Sequence, residues 1–300
     1  MSFWISSFRR RPESSVSIDW TPACAGVAAV LVCLWGAKSA IAAEAVFPRP
    51  DHIVIVIEEN KSYSQIIGNP ETPYINALAQ RGALFTNSHG ITHPSQPNYL
   101  ALFTGSTRGI GSNSCPLDLS GDNLASALTA KGLSFISYSE SMPTAGYPGC
   151  RYGPYMRKHN PAANWKELSA LNQPLTAWPQ DFAKLPDVAW VIPDQRHDMH
   201  DGSIAEGDVW LKRNIDGYAR WAMDNNSLLI VTFDEDDGSE GNRIVTLFVG
   251  PMVRPGKYAQ RIDHYNVLRT ILHMHGLPGM NESKDRQPVT GVWKQVDTKR

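Results

Sequence analysis

The 300-residue chain lacks the features that would tie it to a polyanion or a bilayer. It has no surplus of charge, with 28 basic against 29 acidic side chains and a formal net charge of −1. No basic block follows the first residues, so there is no electrostatic footprint for nucleic acid or for an anionic membrane surface. No internal repeat or low-complexity tract occurs. Cysteine is scarce: of four residues, Cys24 and Cys33 lie in an apolar run at 23–37. That run is short for a bilayer core, which takes about 20 apolar residues.

What stands around the run gives it a different meaning. Arg9, Arg10 and Arg11 precede it, and Ala40-Ile41-Ala42 and the alanines just after follow it. Basic, apolar, then small is the order of a secretory signal peptide, assigned here to residues 1–43, with an uncleaved anchor as the alternative. Cleavage leaves one expected domain at 44–300, no stable membrane anchor, and a periplasmic or secreted location. Two cysteines remain, Cys115 and Cys150, and an oxidising compartment predicts a bridge between them; free buried thiols are the alternative.

The mature part alternates strand and helix signals. Ile53–Ile57, Val188–Ile192 and Leu228–Phe233 are apolar runs of the kind buried on both faces of a sheet, and 83–87, 133–138 and 244–249 read as further strands. Helices are expected at 73–81, 122–131, 206–225 and 264–275. Residues 143–186, rich in Pro, Tyr, Trp and Asn, read as a long excursion with short helices near 164–171 and 180–184. The tail after Gly276 reads as irregular. This order predicts an α/β sandwich with a largely parallel central sheet, whose sites gather at the carboxyl ends of strands.

Residues 93–105, HPSQPNYLALFTG, place a hydroxyl at a helix start. Ser95 reads as N-cap, with Pro97 in the first turn and an apolar helix behind it. A helix N-terminus favours a phosphate dianion, so Ser95 is the candidate nucleophile, although an N-cap role alone would also explain it. Polar groups follow several strands: Glu58, Glu59 and Asn60; Asp194, His197, Asp198 and His200; and Asp234 through Asp237. His264 reads as the cap of the last helix. Each cluster alone could be a solvated turn, but so many carboxylates on one rim require a cation, and a divalent metal is the simplest.

The ordered set IEENKSY, HPSQPNYLALFTG, KHNP, DMHD and TFDEDD resembles the bacterial phosphoesterase family of acid phosphatases and phospholipases C, and most the short secreted acid phosphatases. The resemblance spans residues 51–275. It implies the α/β/α fold of the alkaline phosphatase superfamily and a Ser95 nucleophile in the pattern Ser95-Gln96-Pro97-Asn98. It also implies a metal held by Glu59, Asn60, Ser95, Asp234 and Glu235, with Asp194, Asp198, His200 and His264 at positions for a second ion or for the phosphate. An Asp-Glu pair where zinc enzymes place Asp-His favours Ca²⁺, Mg²⁺ or Mn²⁺ over Zn²⁺, as one or two ions.

The chemistry then follows. Asn98 can donate its amide to a phosphoryl oxygen. Lys158 and His159 can close over the phosphate unless they form an ordinary turn, and a histidine can protonate the leaving group. The expected activity is hydrolysis of phosphate monoesters, small esters or phospholipid headgroups, through a phosphoserine. A phospholipase C-like phosphodiesterase and an inactive binding module are the alternatives.

Overall fold

The computed structural model describes residues 47–295. The expected signal peptide lies outside the described residues. In chain order the elements are β1 (Ile53–Glu58), α1 (Tyr63–Ile66), α2 (Pro73–Arg81), β2 (Ala83–His89), α3 (Ser95–Thr104), α4 (Leu124–Ala130), β3 (Phe135–Ser139), a small hairpin of β4 (Arg151–Tyr152) and β5 (Tyr155–Met156), β6 (Asn172–Pro174), β7 (Val188–Ile192), α5 (Ile204–Asp224), β8 (Leu228–Phe233), β9 (Arg243–Val249), β10 (Gly256–Asp263) and α6 (His264–Met274).

Eight strands form one sheet in the order β10-β2-β9-β8-β1-β7-β3-β6. Every neighbouring pair is parallel except the two that involve β9. Side-chain alternation along β1 divides the core. Ile53, Ile55 and Ile57 pack with Leu100 and Phe103 of α3, Leu128 of α4 and Ile271 of α6, whereas Val54 and Val56 pack with Leu78 of α2 and Leu211 and Ile215 of α5. Helices therefore cover both faces, the arrangement in which a parallel strand can be apolar throughout.

Helix ends are set by side chains. Ser203 and Glu206 form a capping box at the start of the 21-residue α5. One turn on, Asp208 of α5 accepts from the backbone N–H groups of Tyr74 and Ile75 at 2.9 and 2.8 Å and so caps α2 from outside. At α6 the cap is Asp263, whose carboxylate accepts from Asn266 N, and not His264, which is the first helical residue.

Two segments differ from the sequence expectation. Gly256–Asp263 is a strand, although its alternation of exposed and half-exposed residues gives no apolar run; it forms the sheet edge beside β2. The tail after Gly276 is packed: Val289 and Val292 are buried, Trp293 stacks on Phe248, and Val253 bridges to Trp293.

Cys115 and Cys150 form a disulfide that closes a separation of 35 residues. Arg157 knits the same region, donating to Pro148 O, Leu117 O and Asn164 Oδ1 at 2.6, 2.7 and 3.1 Å. Cys115→Ser is expected to lower stability by about 3–4 kcal/mol through the released loop entropy. A denaturant midpoint that does not move would contradict this.

Candidate active site

The carboxyl ends of β1 and β8 are neighbours in the sheet, so Glu59 and Asn60 come to face Asp234 and Glu235. The first turn of α3 meets them. Ser95 is the first helical residue and Pro94 holds the cap position, so the Ser95 hydroxyl caps nothing. Instead it donates to Glu59 Oε2 at 2.9 Å and lies 3.2 Å from Glu235 Oε1. The side chain is 1% exposed. This corrects the N-cap reading: the hydroxyl is directed at carboxylates, away from its own helix.

Asn60 adopts a left-handed conformation at φ 45°, which asparagine tolerates better than most residues. Its amide end stands 2.9 Å from Glu59 Oε2 and 3.2 Å from both Asp234 Oδ1 and Glu235 Oε1. Either the NH₂ group points there, its two N–H groups shared among the three acceptors, or its oxygen does and a cation lies among the four oxygens. Ligand oxygens about 3 Å apart are what cation–oxygen distances of about 2.1 Å produce. Asp234 Oδ2 is buried without a partner among the described residues. Burial and then Glu59 raise the pKa values of both Asp234 and Glu235, with Glu235 adding to the first and Asp236 to the second. An oxygen-rich, anionic set with an unpartnered carboxylate oxygen fits a hard divalent ion.

The excursion supplies a second group. Asn160 anchors its turn by donating to Ser139 Oγ and Asn172 Oδ1 at 2.9 and 2.7 Å, which holds the 158–159 turn over the carboxyl-end rim of the sheet. His159 is buried, stacks on Tyr99, and lies 3.1 Å from both Glu59 Oε1 and Asp198 Oδ2. Burial pushes its pKa down to about 3 against the pull of Glu59, and burial pushes Asp198 up to about 8. Lys158 is also buried, yet its ammonium makes no hydrogen bond or ion pair among the described residues while Asp198 and Glu235 feel its charge. A cation whose charge reaches Glu235, the carboxylate 3.2 Å from Ser95 Oγ, is suited to an anion held at that end of the site.

The remaining sequence candidates are arranged differently. Asn98 accepts from Ile91 N and Thr92 N and donates to Thr92 O at 2.7 Å, with Glu235 Oε2 at 3.3 Å, so it braces the turn before Ser95. His264 Nε2 donates to the carbonyl of Asp234 at 2.6 Å and thus stands behind that residue. Asp194 joins Glu140 and His197 in a separate cluster. His200 is partly exposed, bonded to Asp201, with its ring 6.3 Å from that of His159.

Two further residues shape the site: Glu58, which the sequence reading names among the polar groups after the first strand without giving it a role, and Gly90, which it does not name. Glu58 is fully buried with both carboxylate oxygens unpartnered among the described residues, and burial with nearby Asp198 and Glu140 drives its pKa up. Gly90 lets the chain approach closely, since a β-carbon there would stand 2.7 Å from the Asp234 carbonyl oxygen. The alternation of β1 places Glu58 on the Val54 and Val56 face, which is the signal that distinguishes it from Glu59.

Comparison with known proteins gives the family and the fold. Residues 69–278 match the phosphoesterase family. A phosphatidylinositol-3-phosphatase of Mycobacterium tuberculosis is 46% identical over 273 residues, 89% of this chain and 91% of that protein. An acid phosphatase of Aspergillus fumigatus is 30% identical over 68% of this chain and 50% of its own, and a phosphate-repressible acid phosphatase of Penicillium chrysogenum is 31% identical over 69% and 55%. The chain spans about half the length of these two fungal relatives. Among solved structures, a Vibrio parahaemolyticus protein of the alkaline phosphatase superfamily aligns with a TM-score of 0.56 at 15% identity, over 82% of this chain and 72% of that one. A phosphonate monoester hydrolase from Silicibacter pomeroyi aligns at 0.55 and 13%, over 82% and 78%. The chain thus belongs to the phosphoesterase family and is a hydrolase of phosphate esters built on the α/β fold of the alkaline phosphatase superfamily.

Proposed function

We propose that the protein is an exported, metal-dependent phosphomonoesterase of acid phosphatase type that works through a phosphoserine on Ser95. The observation that carries this is the Ser95 hydroxyl at the start of α3, donating to Glu59 within a ring of oxygens. A divalent cation held by Glu59, Asn60, Ser95, Asp234 and Glu235 would supply the charge that acidifies the hydroxyl and offsets the phosphoryl oxygens. Ca²⁺, Mg²⁺ or Mn²⁺ suits this ligand set better than Zn²⁺.

The chain's own groups divide the work. Lys158 binds a non-bridging phosphoryl oxygen. The helix N-terminus adds its positive end. Ser95 Oγ attacks phosphorus in line, its proton passing to a carboxylate it already contacts, and the ester oxygen leaves as the alcohol after taking a proton. His159 is sealed from water, so the partly exposed His200 is the better donor to the leaving group. Water then cleaves the phosphoserine and releases phosphate. The signal peptide at 1–43, the single domain at 44–300 and the disulfide suit a periplasmic or secreted enzyme. The described helices include none long and apolar enough to cross a membrane.

For substrate we favour a phosphorylated inositol headgroup, as the name of the Mycobacterium relative suggests, with small monoesters as surrogates. Phosphate release from soluble short-chain phosphatidylinositol 3-phosphate and p-nitrophenyl phosphate, but not from a phosphodiester, tests this. Faster cleavage of the diester would favour a phospholipase C-like reading, and no turnover with any cation would favour the inactive module.

Metal should also reveal itself in stability. Glu235 has a folded pKa of about 8, above its unfolded value of about 4.3, so its contribution to the metal-free fold is full in acid and is lost as pH rises toward 8. The raised value of Asp234 acts in the same direction. A cation takes the place of those protons. The gain in Tm on adding Mn²⁺ should therefore be larger at pH 8 than at pH 5, and a gain that shrinks with pH would contradict the site.

A further inference from the structure

His93, two residues before the nucleophile, has no part in the reaction described above, and its side chain is 46% exposed. Both of its ring nitrogens nevertheless face carboxylates. Nδ1 lies 2.8 Å from Glu235 Oε2, and Nε2 lies 3.1 Å from Asp236 Oδ1. Asp236 is itself immobilised: Oδ1 accepts from Gly238 N at 2.7 Å, and Oδ2 accepts from Glu240 N and Asn242 N at 2.8 and 3.0 Å. The Asn242 side chain accepts from Asp236 N and donates to Thr92 O, which ties this loop to the residue before His93.

Glu235 is thereby divided into two ends. Its Oε2 is engaged by His93, with Asn98 Nδ2 at 3.3 Å. Its Oε1 is left facing Ser95 Oγ and the Asn60 amide. A carboxylate free to rotate could present either oxygen or chelate with both; one whose far oxygen is bonded to a ring braced on a fixed loop presents one oxygen in one direction. Groups that bond to the far side of a ligand in this way tune metal affinity by about 10- to 100-fold.

We propose that His93 is a positioning residue, strung between the rigid Asp236 loop and Glu235 Oε2, that fixes Glu235 Oε1 toward the cation and Ser95. The proposal rests on the metal-dependent reading of the site. His93 acts through Glu235, and it touches neither substrate nor cation.

The test measures Mn²⁺ binding by calorimetry to the chelator-stripped protein, beside kcat and KM for p-nitrophenyl phosphate at saturating Mn²⁺. His93→Ala should weaken Mn²⁺ binding by about 10- to 100-fold and lower kcat with little change in KM. His93→Gln, whose amide can still donate to Glu235 Oε2, should recover part of both. Circular dichroism and Tm of the chelator-stripped proteins should match wild type for both variants, since the ring is half exposed. Wild-type Mn²⁺ affinity in His93→Ala would overturn the proposal, and if KM alone rose, His93 would be a substrate contact. Wild-type protein that binds no divalent cation would instead overturn the metal reading, and this is seen before any variant is made.

Discussion

Replacing Ser95 with alanine is expected to lower turnover at least about a thousandfold, as for other covalent nucleophiles, while the fold stays intact. The structure strengthens the second half of that expectation. Because Ser95 is not a cap, no helix-capping energy is lost with its hydroxyl. Removal also relieves nothing that holds α3, whose C-terminal end is closed by Gly105 in a left-handed conformation and whose apolar residues are buried in the core. Ser95→Thr keeps a hydroxyl and should retain measurable activity. Near-wild-type turnover in Ser95→Ala would refute the nucleophile; parallel modest losses of stability and activity would point to a structural serine.

The second large effect concerns the ligands. Glu59→Gln and Asp234→Asn each remove an anionic oxygen and should reduce metal affinity at least about a hundredfold, beyond what outer contacts contribute. Turnover at micromolar metal should fall with it. Stability should move the other way. In the metal-free protein these carboxylates repel one another, with Glu59 among the groups that push Asp234 upward. Neutralising one of them should leave the Tm of the stripped protein unchanged or higher at pH 8, the usual exchange of stability for function at a charged site. Full metal content and normal turnover in both variants would remove this ligand set from consideration. Metal loss together with a collapse in Tm would show that the carboxylates hold the fold.

Much of this was legible in the sequence because burial leaves a simple pattern. The runs at 53–57, 188–192 and 228–233 mark β1, β7 and β8 to within a residue, since strands covered on both faces must be apolar throughout. Those three strands are neighbours, and their carboxyl ends carry most of the site. Gly256–Asp263 was not legible: an edge strand with solvent on it keeps lysine, glutamine and arginine, and its pairing with β2 is a tertiary fact. His159 was legible as a candidate by its motif, but its position depends on Asn160 reaching β3 and β6, contacts that no local pattern encodes. Asn98 and His264 carry the right chemistry and sit at the right place in the chain. Their donors are spent on backbone carbonyls of the turn and of Asp234, which only the fold reveals.

The nucleophile can be identified directly by acid quench. Enzyme mixed with p-nitrophenyl phosphate and stopped within the first turnover should carry phosphate on the peptide containing residues 93–105, located by mass spectrometry at Ser95. Phosphate on His159, His200 or any other residue, or a burst of released alcohol with Ser95 unmodified, would contradict the account.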